Sequence, residues 1–268
     1  MRVFLNENVI EVVPGTSLFQ LRDQYRPDAD LVIFNGFPLK EDRPLAADDR
    51  VVLIRRGEQP SAAEMEALLM ARHTPGVHEK VRGACVGIAG AGGLGSAVAI
   101  ALARIGVGRL VVADFDLVEP SNLNRQQYFI DQIGLPKVEA LQHNLARINP
   151  YVQVEIFFGR LTPDNSAIVF AEVDVLVEAF DLPDQKAMLV EAFLGSASAA
   201  PLVAASGLAG HGPANTVVTR RAGSRLYLVG DGCSAAGPGA GLMAPRVGVA
   251  AHHQANAVLR LLLGEEPE

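Results

Sequence analysis

Cysteine is nearly missing from this chain, whose 268 residues hold only Cys85 and Cys233. Two thiols cannot build a disulfide framework, and without a Cys-x-x-Cys pair there is no sulfur-built structural zinc site. The chain is long enough to bury a core without such staples, as one large domain or two unequal ones. Basic excess is missing too. A net charge of -7 argues against the cationic surface that nonspecific nucleic-acid binding requires. A small anion at a helix N-terminus remains compatible with it. The opening Met1-Arg2-Val3-Phe4-Leu5-Asn6-Glu7 lacks the apolar run of a secretory signal. Residues 84–103 carry no charge, but Gly87, Gly90, Gly92, Gly93 and Gly95 oppose an uninterrupted membrane helix there. A soluble cytoplasmic protein is expected, without internal repeats or low-complexity tracts.

What is present falls into two rhythms. In the first sixty residues, β-rich runs at 3–5 and 9–13 flank an Asn6-Glu7-Asn8 turn. Thr16 or Ser17 then caps a short helix to Tyr25 with Leu18 and Leu21 on one face, and 31–34 and 50–54 are further strands. That order predicts a small α+β domain over residues 1–58. After Gly57-Glu58-Gln59-Pro60-Ser61, the spacing of Met65, Leu68 and Leu69 predicts a linker helix within 59–76. From Cys85 strands and helices alternate. Strands at 86–89, 110–113, 152–157, 175–179 and 202–205 are interleaved with helices from Gly93, over 136–148 and near 185–193. A last helix covers 245–263. The alternation predicts an α/β domain over 77–268, with a Rossmann-like, mostly parallel sheet and helices on both faces.

Gly90-Ala91-Gly92-Gly93-Leu94-Gly95 fits G-x-G-x-x-G between a predicted strand and a predicted helix. Glycines there permit a tight turn and let backbone N–H groups approach a phosphate. Asp114, ending the next strand, is placed to accept ribose hydroxyls. A close helix–strand crossing without ligand is the plain alternative, and the motif alone does not separate NAD from ATP. The run from Asp114 to Gln126, with Lys137 opening the following helix, favours a triphosphate. Attack at an α-phosphate builds negative charge, which Asn122, Arg125 and Lys137 can stabilise. Lysine near a helix N-terminus also opposes the macrodipole, which favours an anion partner. A solvated arginine and an ordinary first-turn lysine are the alternatives. Asp181 sits at a strand's carboxyl end, where open α/β sheets bind ligands, or else caps the helix before Pro183. Adjacent His252 and His253 point apart on a helix and form no ligand set.

Together the glycine loop, Ser121-Asn122-Leu123-Asn124-Arg125-Gln126 and Pro136-Lys137 resemble the ThiF/MoeB family over roughly residues 77–264. The resemblance implies a ubiquitin-activating-like adenylyltransferase that uses ATP and Mg2+ to adenylate the C-terminal glycine of a β-grasp carrier. It implies Gly90, Gly92, Gly93 and Gly95 at the phosphates, Asp114 at the ribose, and Asn122, Arg125 and Lys137 at the triphosphate. Asp181 matches the aspartate of the family's Thr-Asp-Asn motif, implying transient magnesium binding. A homodimer and a persulfide sulfur donor are implied as well. Gly15-Thr16-Ser17-Leu18, Asn35-Gly36-Phe37-Pro38 and Asp49-Arg50-Val51-Val52-Leu53-Ile54 resemble the sulfur carrier ThiS, a β-grasp (ubiquitin-like) domain fused ahead of the larger one. The expected substrate is a separate ThiS-like carrier of the thiazole branch of thiamine synthesis. A carrier needs a free Gly-Gly carboxylate, whereas this chain continues through Arg55-Arg56-Gly57-Glu58-Gln59-Pro60. A docking or regulatory role is therefore expected for residues 1–58.

Departures from the pattern matter. Zinc-binding Cys-x-x-Cys pairs of many relatives have no counterpart, so no structural zinc is expected. Cys233 lies near where relatives carry a cysteine that bonds the carrier, but its distance to Pro245 does not match. An incidental loop thiol is expected there, and a buried structural one at Cys85. Arg72 is a candidate for the arginine that relatives insert from a partner subunit. The glycine-rich 204–212 loop either guides a carrier tail or simply connects. Arg125, Lys137 and magnesium near Asp181 would act by positioning and charge stabilisation, without a general base. Other readings are an adenylyltransferase for the molybdopterin carrier or a tRNA-linked acid, a non-catalytic carrier-binding module, and an NAD-dependent oxidoreductase.

Overall fold

The computed structural model describes residues 1–74 and 76–268, which divide into the units Met1–Pro75 and Gly76–Glu268. In the first unit, β1 (Arg2–Leu5) and β2 (Asn8–Glu11) pair antiparallel. Asn6 and Glu7 between them both have positive φ, as a two-residue hairpin turn demands. Helix α1 (Leu18–Tyr25) starts on a reciprocal cap between Ser17 and Gln20. A second hairpin joins β3 (Leu31–Phe34) to the two-residue β4 (Phe37–Pro38), a strand too short for its pattern to show in the sequence. β5 (Arg50–Ile54) runs parallel to β1 at the centre of a sheet ordered β2-β1-β5-β3-β4. Val3, Leu5, Val32, Val51 and Leu53 face Leu18 and Leu21 in one core. This is the β-grasp arrangement, and helix α2 (Ala62–Met70) follows it within the same unit. The stretch after β5 bends back on itself, since Glu58 N donates to the Arg55 carbonyl at 3.2 Å and Gly57 has φ +78°. A 3.0 Å ion pair from Glu58 to Arg26 fixes that turn.

The second unit opens with α3 (Val77–Arg82) and β6 (Cys85–Ala89), followed by α4 (Gly93–Arg104) and β7 (Arg109–Asp114). Then come α5 (Lys137–Ile148), β8 (Gln153–Phe158), α6 (Pro163–Val169), β9 (Val175–Glu178), α7 (Pro183–Leu194) and β10 (Leu202–Ala205). β11 (Val218–Arg221), β12 (Leu226–Gly230) and the long α8 (Ala244–Leu263) complete it. The sheet order is β11-β12-β10-β9-β6-β7-β8, parallel except for β11. Strand alternation divides the core. Val86, Ile88, Leu110, Val112, Val175 and Val177 pack under α4, α5 and α8. Cys85, Ala89, Val111, Ala113 and Leu176 face Phe170, Leu189 and Phe193 on the other side. Gly87 takes part in that second face because an added Cβ would stand 2.7 Å from the Phe170 ring.

Helices on both faces of a mostly parallel sheet match the expected Rossmann-like fold. Among the described residues no helix is long and apolar enough to cross a membrane. The strand order reverses between β6 and β9, and at such a switch point the loops at the carboxyl ends diverge and leave a crevice.

Candidate active site

That crevice is a cleft of about 650 Å³, walled by the loops that follow β6, β7, β8, β9, β10 and β12. Its floor is the glycine loop. Gly90 has φ +99°, and a Cβ there would stand 2.9 Å from the Ala179 carbonyl oxygen. At Gly95 a Cβ would collide with the Gly90 carbonyl, so this glycine serves the crossing of α4 over β6. Gly92 differs, because its nearest neighbour would be Gln126 Nε2 at 3.9 Å, and the residue lines the cleft. The first backbone N–H groups of α4 lie beyond it without intrahelical partners, the arrangement that binds anions. Tyr128 fixes the loop from below, its hydroxyl donating to the Ala91 carbonyl at 2.6 Å.

Asp114 lines the cleft at the end of β7. Its oxygens accept the Ala91 N–H at 2.6 Å and the Asp116 N–H at 2.7 Å. A carboxylate offers about four lone-pair directions, so acceptor capacity is left for ligand hydroxyls. Burial pushes this carboxyl above its ordinary range, while the two N–H bonds and Lys137 oppose the rise. Lys137, at the start of α5, is buried and donates to Asp116 at 2.7 Å. Arg125 lies on the cleft wall, held by the Asn124 side chain at 2.8 Å and the Ser121 carbonyl at 3.2 Å. Asp181 is exposed on the opposite wall, and among the described residues it has no hydrogen-bond or ion-pair partner.

Asn122 and Gly95 stand apart from this group. Asn122 is buried, and its side-chain oxygen accepts the Glu119 N–H at 3.0 Å, so it caps the turn that carries Arg125. The structure thus gathers Gly90, Gly92, Gly93, Asp114, Arg125, Lys137 and Asp181 around one cleft. Arg72 belongs to the first unit, where it pairs with Glu7 at 3.3 Å.

Other groups on or behind these walls had no sequence signal. Lys186 lines the cleft and pairs with Glu178 beneath it. Asp231 and Arg246 form a buried ion pair at 2.6 Å, and Arg246 also donates to the Gly212 and Pro213 carbonyls. Asp231 in turn accepts the Cys233 and Ser234 N–H groups, which shapes the wall where the exposed Cys233 sits. A hydrogen bond to Asp231, reinforced by its charge, pushes the Cys233 thiol up, away from the reactive thiolate. The ion-pair partners, 8 and 15 residues apart, share no helical or strand periodicity that could reveal them.

Chemically, the walls offer several cations and a helix N-terminus to one anionic ligand. No group of three His, Cys, Asp or Glu able to hold a metal occurs among the described residues. A lone exposed carboxylate fits magnesium that arrives with nucleotide phosphates, since Mg2+ commonly takes one or two carboxylates plus phosphates and water.

A ThiF family model matches residues 66–268, and a ThiS-like ubiquitin model matches residues 1–57. The chain belongs to the ThiF family. Relatives include the molybdopterin-synthase adenylyltransferase of Escherichia coli, 35% identical over 69% of this chain and 76% of that protein. The sulfur carrier protein adenylyltransferase of Thermus thermophilus is 41% identical over 40% of each chain. The ubiquitin-like modifier-activating enzyme 5 of Caenorhabditis briggsae is 36% identical, and the match spans 50% of this chain but only 32% of that longer relative. Among solved structures, the tRNA N6-threonylcarbamoyladenosine dehydratase of E. coli in complex with AMP superposes with TM-score 0.68. It covers 76% of this chain and 96% of its own at 21% identity, a likeness of fold.

Proposed function

We propose that this ThiF-family chain adenylates the C-terminal glycine carboxylate of a separate ThiS-like sulfur carrier, in the thiazole branch of thiamine synthesis. The observation that carries the reading is the single cleft at the sheet's switch point. It combines an open helix N-terminus, Asp114 for a ribose, Arg125 and Lys137 for phosphates, and the unpaired Asp181. The names of the E. coli and T. thermophilus relatives support adenylyl transfer, and the fused ThiS-like segment supports the choice of carrier.

The carrier's carboxylate is ionised at neutral pH, so it attacks the α-phosphate in line without a general base. Arg125 and Lys137 stabilise the charge that builds on the phosphates as pyrophosphate leaves. Lys137 must trade part of its contact with Asp116 for this, which ties its position to ligand binding. Asp181 faces the cleft where it can meet the magnesium that accompanies ATP. The outer sulfur of a persulfide donor then attacks the acyl carbon and AMP leaves, giving an acyl disulfide between carrier and donor, and Cys233 takes no covalent part. We place the enzyme in the cytoplasm, as a homodimer.

The test is ATP–pyrophosphate exchange with a panel of Gly-Gly-ending carriers. A ThiS-like carrier should give the highest kcat/KM, with Asp181→Ala and Arg125→Ala reducing exchange at least about a hundredfold while the fold persists. Near wild-type exchange in either variant sinks the site assignment. Preference for a molybdopterin-type carrier moves the substrate to the second reading, which the coverage of the E. coli relative favours.

A further inference from the structure

Glu178 takes part in no step above, yet it is the one carboxylate with 0% exposure among the described residues. A buried charge is costly unless it is paired and hydrogen-bonded, and an apolar residue would pack the same space more cheaply. Each of its bonds leads to a wall of the cleft. Oε1 accepts the Phe180 N–H at 2.7 Å, immediately before Asp181. Both oxygens accept Lys186 Nζ, at 3.0 and 3.1 Å, and Lys186 itself lines the cleft. Oε2 also accepts the Ala205 N–H at 3.4 Å, where β10 enters the glycine-rich loop. From α8, Gln254 Nε2 donates to the Glu178 carbonyl at 2.9 Å and to the Val203 carbonyl at 3.3 Å, clamping the strand ends from behind.

We propose that Glu178 is a positioning residue for phosphate binding. Through the Phe180 amide it sets the 179–182 loop that presents Asp181. Through the ion pair it holds Lys186 at the cleft wall, where two ammonium hydrogens are spent on Glu178 and the third is free for a phosphate oxygen. Lys186 is thus a further nucleotide contact, and its geometry depends on the carboxylate beneath it. The proposal rests on the adenylyltransferase reading.

The experiment measures ATP affinity of the full chain by calorimetry, with magnesium and with EDTA, alongside carrier affinity and melting temperature. Glu178→Gln and Lys186→Met should each weaken ATP about tenfold in magnesium, the loss of one charge-assisted bond. Glu178→Gln should also bring the magnesium and EDTA affinities close together, while carrier affinity stays at the wild-type value. Lys186→Arg, which keeps the cation and its donors, should recover most of the loss. Loss of ATP and carrier affinity in parallel marks general loosening and overturns the positioning role. So does wild-type ATP affinity with an unchanged magnesium dependence in both variants. If Glu178→Gln does not fold, the partly exposed Lys186→Met decides the question. Wild-type protein that binds no ATP overturns the adenylyltransferase reading itself, a result distinct from normal binding with unaffected variants.

Discussion

Glycines of one motif answer to different neighbours. Gly95 is fixed by the Gly90 carbonyl, which a Cβ would strike, whereas Gly92 opens on the cleft with only Gln126 near. Gly95→Ala should therefore cost about 1–3 kcal/mol or more of stability, as overpacking does, and show as a lower denaturant midpoint. The nearest atom to an added Cβ at Gly92 is 3.9 Å away and an N-cap glycine loses about 1 kcal/mol or less on going to alanine, so little stability should be lost in Gly92→Ala. Its ATP affinity should fall, because a methyl group would stand where phosphate approaches. Equal effects of both variants on stability would refute this division. The G-x-G-x-x-G pattern was legible in the sequence, but a pattern of glycines records only where the backbone lacks a side chain. Which atom fills that space depends on strands far along the chain. The same holds for Asn122, whose side chain caps its own turn as short polar side chains readily do.

At the scale of elements, strands that alternate cleanly or are buried on both faces were readable. β3 and β10 begin and end where their apolar runs do, and β5 adds only Arg50 before its run. Helix α6 was not, because its seven residues begin Pro163-Asp164-Asn165 and carry little apolar periodicity. Edge strand β11 contains Thr219-Arg220-Arg221 and is mostly exposed, so nothing in its composition separates it from a loop. The loop after β12 is tied to α8 by Asp231, which binds Arg246 and two backbone N–H groups of its own loop. Those N–H bonds and Arg246 hold the Asp231 carboxyl well below the usual carboxylate range. Its charged form is then favoured by folding, so this stabilisation is complete above pH about 4 and is lost as pH falls toward the lower folded value. Asp231→Asn should be less stable than wild type at pH 7 by about 3 kcal/mol, as when a buried pair loses one partner. That gap should narrow in denaturant titrations below pH about 4. A gap that stays constant down to pH 2.5 would show that Asp231 carries no linked proton.

For the whole molecule, a carrier-like unit stands in one chain with a ThiF-family unit. The carrier-like unit has no free end, since Gly57 lies in a turn that Glu58 closes on Arg26. Incubating the chain with ATP alone should leave its intact mass unchanged, and a mass gain of one AMP would contradict its exclusion as substrate. If the unit serves docking or regulation, deleting residues 1–58 should weaken carrier binding or alter activity, and unchanged values for both would end that idea. In the proposed reaction the group adenylated is the tail of a second protein, and this is the step to test. It is tested most directly by ATP–pyrophosphate exchange with a Gly-Gly-ending ThiS-like carrier and with the same carrier lacking its last glycine. Exchange is expected only with the intact tail. Exchange that proceeds without carrier, or equally with the shortened one, would contradict it.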